Sequence, residues 1–94
     1  VIPLVAGALA AGSGSWGYLH DAMAAETVDA TPGVAEAYCL EGLENADAAD
    51  PLRGDLLLCL ARNRLKVGNE PGAMDALRRV PATSAAWAPA RALL

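Results

Sequence analysis

The sequence predicts an all-α domain of about six short helices, and three observations carry that expectation. Alanine and leucine dominate the 94 residues, Phe is absent and β-branched residues are sparse, a composition that favours helix over sheet. Prolines at 32, 51, 71 and 81 and a glycine at 68 punctuate the chain where helices start and stop. No stretch alternates apolar and polar residues over a strand's length, and no Asn-Gly or Asp-Gly hairpin turn occurs. With 54% apolar and 19% charged residues the chain is too hydrophobic for intrinsic disorder. Its length suits one domain with little room for a deep cofactor cleft.

The expected helices are 3–12, 16–29, 33–45, 51–67, 71–80 and 84–94. The first, within VIPLVAGALAAG, is apolar on every side, as a helix is when buried all round or in lipid. A full span needs about 20 apolar residues, and Gly12-Ser13-Gly14-Ser15 breaks the run, so a packed helix is favoured over a membrane anchor. Trp16 and Tyr18 would suit a membrane interface, which keeps residues 1–14, or 1–19, open as the end of an anchor. The Gly-Ser run reads as the turn into the second helix. Thr31 and Asp50, each before a proline, are expected to cap the third and fourth helices, and Asn69 the fifth. Gly68 is placed for a left-handed residue after the fourth. Thr83 or Ser84 is expected to open the last helix.

Apolar spacing defines the faces. Val34, Ala35, Tyr38, Cys39 and Leu43 share one face of the third helix. Leu56, Leu57, Leu60, Ala61 and Leu65 form a stripe on the fourth, away from Arg62, Arg64 and Lys66. Ala73, Met74, Leu77 and Val80 line the fifth. Trp16 and Trp87 are expected as core anchors, with exposed binding residues the alternative. The start at Val1 rather than Met and the helix pattern that stops at Leu94 suggest a piece of a longer protein.

Charge is split along the chain. Residues 1–52 hold eight acids and no Lys or Arg, and residues 53–94 hold seven bases and three acids, for a net charge of −4. Pairing between successive helices is the favoured reading, and an acidic surface that meets a basic partner is the other. The basic half is too sparse and too poor in aromatics for nucleic acid.

Candidate chemistry is thin. Gly12-x-Gly14-x-x-Gly17 has the spacing of a dinucleotide-binding turn, with Glu36 near the distance of its acid, but the fold it needs has strands that this sequence lacks. His20 is the sole histidine, too few for a metal site or a catalytic triad. Cys39 and Cys59 fall on apolar faces of adjacent helices, where they are buried thiols in a cytosolic protein or a disulfide in an exported one. These residues predict no enzyme, cofactor, metal or small-molecule substrate.

Residues 57–80 resemble a tetratricopeptide repeat. Leu57 stands where that family has Trp, Leu60 and Ala61 where it has Leu-Gly, Gly68 at the turn, Ala73 at the small position of the second helix and Leu77 at its Phe. Arg64 departs from the family's Tyr, and Pro81 ends the second helix early. Weaker echoes begin at Trp16-x2-Leu19, Ala35-x3-Cys39 and Trp87-x2-Ala90, with Trp16, Leu57 and Trp87 spaced by 41 and 30 residues. The segment LARNRLKVGNEPGAMDALRRVPATS is similar to the repeat segment of actinobacterial protein kinase G, without any kinase residues. The resemblance implies antiparallel hairpins in a small right-handed array and a bacterial scaffold or adaptor that binds a protein or peptide. Arg62, Arg64 and Arg91 are the candidate partner-binding residues, positioned to meet a carboxylate. The expected location is cytoplasmic. A membrane-anchored accessory subunit is the alternative, and a small nucleotide-binding enzyme the remote one.

Overall fold

The computed structural model describes residues 10–94, which form five helices and no strand: α1 Ala10–Thr27, α2 Pro32–Asn45, α3 Arg53–Lys66, α4 Glu70–Arg78 and α5 Trp87–Leu93. The all-α expectation holds, and the count is five among the described residues rather than six. The expected helix 3–12 lies mostly outside them. The expected turn at Gly12–Ser15 is a correction, because α1 runs through it. Glycine in a helix costs about 1 kcal/mol relative to alanine, and a tertiary contact offsets it here: buried Ser15 donates its hydroxyl to Asp50 Oδ2 at 2.7 Å.

Each boundary has a local cause. Thr31 sits at the α2 N-cap but does not cap with its side chain; its hydroxyl lies 3.3 Å from the Ala25 carbonyl of α1 instead. Asp50 accepts from the Leu52 amide at 2.9 Å, which holds a turn over Pro51 and delays α3 to Arg53. Asn69 caps α4, accepting from the Gly72 amide at 3.1 Å. Gly68 takes φ +79°, the left-handed geometry that ends α3. Ser84 accepts from the Ala86 amide at 3.0 Å, and α5 begins later than expected, at Trp87. Arg53 donates to the carbonyls of Leu43 and Ala46 at 3.1 and 3.4 Å, so the first residue of α3 covers the end of α2.

Helix α3 is the hub: it packs against α1, α2, α4 and α5, while α1 also meets α2 and α4 meets α5. Helices α2 and α4 do not touch among the described residues. Tyr18, midway along α1, packs against Gly42, late in α2, and the short connection from Thr27 to Pro32 turns the chain back, so those two helices are antiparallel. Ser15 reaches Asp50, in the turn just before α3, and Glu26 reaches Arg62 near the end of α3, so α1 and α3 run parallel. The core consists of Leu19, Leu56, Leu57, Leu60 and Leu77 with Cys39, Cys59 and many alanines. Each fully buried leucine contributes about 1.5–3 kcal/mol. Ala61 and Ala73 are both fully buried, which lets α3 and α4 approach closely.

Small residues at the contacts explain two further corrections. Trp16 and Trp87 are not core anchors; they are 52% and 38% exposed. The inward stripe of α1 is Ser15, Leu19, Ala22 and Glu26, and at 100° per residue Trp16 falls on the flank beside it. Val34 is likewise exposed while Ala35, Cys39 and Leu43 face inward. No helix among the described residues is long and apolar enough to cross a membrane.

Gly42 marks the closest approach of α1 to α2. A Cβ there would lie 2.9 Å from the Tyr18 Cβ and 3.0 Å from a Leu56 methyl. Gly42→Ala is therefore expected to destabilise by about 1–3 kcal/mol through overpacking, despite alanine's better helix propensity; a higher urea midpoint in the variant would refute this.

Candidate interaction surface

One buried carboxylate organises the α1–α3 boundary. The Glu26 side chain is 5% exposed. Its Oε2 accepts from Arg62 Nε at 3.1 Å and Lys66 Nζ at 2.9 Å, and its Oε1 from Arg62 Nη2 at 3.1 Å. The two-pronged guanidinium contact is the strong form of such a pair. The Cys59 thiol lies 3.7 Å from the same Oε1. Burial pushes the Glu26 carboxyl up, but the hydrogen bonds and charges of Arg62 and Lys66 overcome it and hold the carboxyl down at about 2. The same partner raises Arg62: its hydrogen bond to Glu26 outweighs burial.

Apolar and aromatic side chains also stand exposed elsewhere on these helices. Trp16, His20 and Met23 follow one flank of α1, all exposed, and the rings of Trp16 and His20 lie 5.9 Å apart. Helix α3 adds half-buried Leu58 and Arg62. In α5 the Arg91 guanidinium lies 5.4 Å from the Trp87 ring centroid, a cation–π contact.

The three arginines singled out in the sequence therefore have different surroundings. Arg62 is bound to Glu26 yet partly exposed. Arg64 donates to Glu36 Oε2 at 3.0 Å and to the Gly72 carbonyl at 3.1 Å, so it spans from α2 to α4 across α3 and is largely buried. Arg91 is exposed and is held by Trp87. The acidic first half and the basic second half thus meet through Glu26 and Glu36. Sequence reasoning missed Glu26 as the anchor, Arg53 as a cap and Asn63 as a buried amide, because none stands in a local motif with its partner.

Other features offer less chemistry. The Gly12, Gly14 and Gly17 series lies inside α1 and not at a turn. Two shallow clefts, of about 240 and 370 Å³, flank the Asp50–Pro51 turn; the Asp50 oxygens there are already engaged by Ser15 and the Leu52 amide. Among the described residues no group of three or more His, Cys, Asp or Glu side chains is placed to hold a metal ion. Comparisons with protein-family models, curated proteins and solved structures find no match.

The low Glu26 value fixes a pH dependence. A carboxyl lowered by folding stabilises the native state above its ordinary value near 4.5, and that contribution is lost as pH falls toward 2. Urea unfolding of the wild type is expected to show on the order of 3 kcal/mol of this loss between pH 5 and pH 2. Glu26→Gln should be weaker at pH 7 and fall less over the same window; parallel profiles for the two proteins would remove Glu26 from this role.

Proposed function

We propose that this chain is a non-catalytic protein-interaction module whose helical hairpins stack in the manner of tetratricopeptide repeats. The order of packing supports this reading. Helices α1, α3 and α5 contact one another in succession, while α2 and α4 each pack beside them without meeting. That gives one layer of first helices and one of second helices. The ties from α1 to α3 and to the turn just before it join residues 36 and 35 positions apart, close to the 34-residue period of that family.

The binding face is the flank of α1 with Trp16 and Met23, extended by Leu58 and Arg62 of α3 and by the Trp87–Arg91 pair of α5. The observation that carries the proposal is Trp16: a large aromatic side chain left half in solvent, two helical turns from exposed Met23, in a domain whose core is built of leucines and alanines. Tryptophan and arginine are among the residue types that dominate binding energy at protein interfaces, and methionine is enriched there. Arg62 and Arg91 are partly free to receive a carboxylate. Arg64, turned toward α2 and α4, supports the face by holding the hairpins together. The partner is a peptide or protein segment with an aromatic or aliphatic anchor and a nearby acid.

A random dodecapeptide library, selected on the folded domain, tests the proposal. Selected peptides are expected to shift the backbone amide resonances around Trp16 and Leu58. Trp16→Ala should weaken them at least tenfold with helix content unchanged, since an interface hot spot contributes about 2 kcal/mol or more. Peptides that bind equally well to Trp16→Ala, or that map to the outer side of α2 and α4, would overturn it.

A further inference from the structure

Internal pairing leaves charge over at both ends of the molecule. Glu26 and Glu36 are bridged to α3, and Asp50 is held by Ser15 and the Leu52 amide. Asp21, Asp29, Glu41, Glu44 and Asp47 remain exposed on α1, α2 and their loops. No lysine or arginine precedes Arg53, and His20, 3.7 Å from Asp21, is the near neighbour that one of them has. At the other end Arg78 and Arg79 are exposed at the close of α4, with exposed Arg91 on α5, and no acid follows Asp75. Helices α1 and α2 do not touch α4 or α5 among the described residues, so α3 separates the two sets of charge. The acidic end also carries an open helix face. Gly14, Gly17, Asp21, Ala24 and Val28 recur at spacings of three and four and, at 100° per residue, lie on the side of α1 opposite buried Leu19. A Cβ on Gly14 or Gly17 would meet nothing within 4 Å, a shallow groove of about 240 Å³ runs over Gly14, Gly17, Tyr18 and Asp21, and Val28 is 79% exposed. Inside the domain, bare positions such as Gly42 are where one helix receives another.

We propose that the chain associates head to tail with a second copy of itself, the α4–α5 end of one molecule seated on the α1–α2 hairpin of the next. Charge complementarity selects this occupant. Arg78 and Arg79 supply the positive charge that the exposed acids of α1 and α2 lack, and within one molecule α3 keeps the two apart. Apolar area is covered with it: Val28, Val34 and Leu40 are exposed at the acidic end, and Leu93 and Leu94 at the basic end. Each molecule has a net charge of −4, so two copies repel at a distance. At physiological ionic strength the Debye length is about 8 Å, far shorter than the 40 Å long axis of the molecule. A contact is therefore decided by the ends that meet and not by the net charge. The two patches differ, so the interface is heterologous and propagates from copy to copy instead of closing as a two-fold dimer. It leaves Trp16 and Met23, on another side of α1, to the interaction face.

Sedimentation velocity of the wild-type chain over a range of concentrations is the test. In about 0.1 M salt the mean sedimentation coefficient is expected to rise with concentration past that of a dimer. In about 1 M salt, where the Debye length falls from about 10 Å to about 3 Å, the association should weaken about tenfold or more. The double variants Arg78→Glu with Arg79→Glu and Glu41→Arg with Glu44→Arg change exposed side chains alone. Each by itself should sediment as a monomer, and an equal mixture of the two should associate again, because each supplies the charge that the other has lost. The wild-type readout does not depend on either variant folding. A wild type that stays monomeric at millimolar concentration, whether or not a basic peptide shifts its α2 amide resonances, would overturn the proposal. So would a closed two-fold dimer, association that survives either charge reversal, or a mixture that stays monomeric.

Discussion

The seat of α1 depends on one carboxylate held out of water. Glu26 receives an arginine fork and a lysine from α3, and it is the last inward-facing residue of α1. A buried carboxylate without such partners would be several kcal/mol unfavourable. The fold therefore admits one arrangement of α1, in which the end of the helix lies against Arg62 and Lys66. The Ser15–Asp50 hydrogen bond fixes the other end. Between these two ties the interface is alanine, leucine and the bare Gly42 backbone. Such contacts bring helices close but specify their register weakly, and the polar ties at the ends supply it.

The same division between small contacts and polar ties decides what faces solvent. Helices that approach through Ala22, Ala25, Gly42, Ala61 and Ala73 leave no space for an indole ring. Trp16 lies on the flank of α1 beside the inward stripe, half in solvent. The exposure of Trp16 and Met23 thus goes with helices that approach closely through small residues.

Much of this was legible in the residues. Asn69 before Glu70-Pro71 announced the α4 cap, and Gly68 announced a left-handed stop, because both effects act within a few positions. The pairing of the acidic half with the basic half was legible as a charge split. Which acid meets which base was not: Glu26 and Arg62 are 36 residues apart, and only packing brings them together. The Gly-Ser run misled for the same reason. Its local preference is a turn, and a single distant partner, Asp50, reverses it. The tryptophans misled because size alone suggests burial, whereas burial also requires a cavity of matching shape.

Arg64 has a mechanical consequence. Helices α2 and α4 do not touch, and the Arg64 guanidinium reaches from Glu36 on one to the Gly72 carbonyl on the other. Helices α2 and α4 are thus sutured to each other by a charged fork, while each packs directly against α3. A suture made of two hydrogen bonds stretches more easily than a packed seam. A change in the spacing of α2 and α4 therefore has to lengthen a hydrogen bond of this single guanidinium.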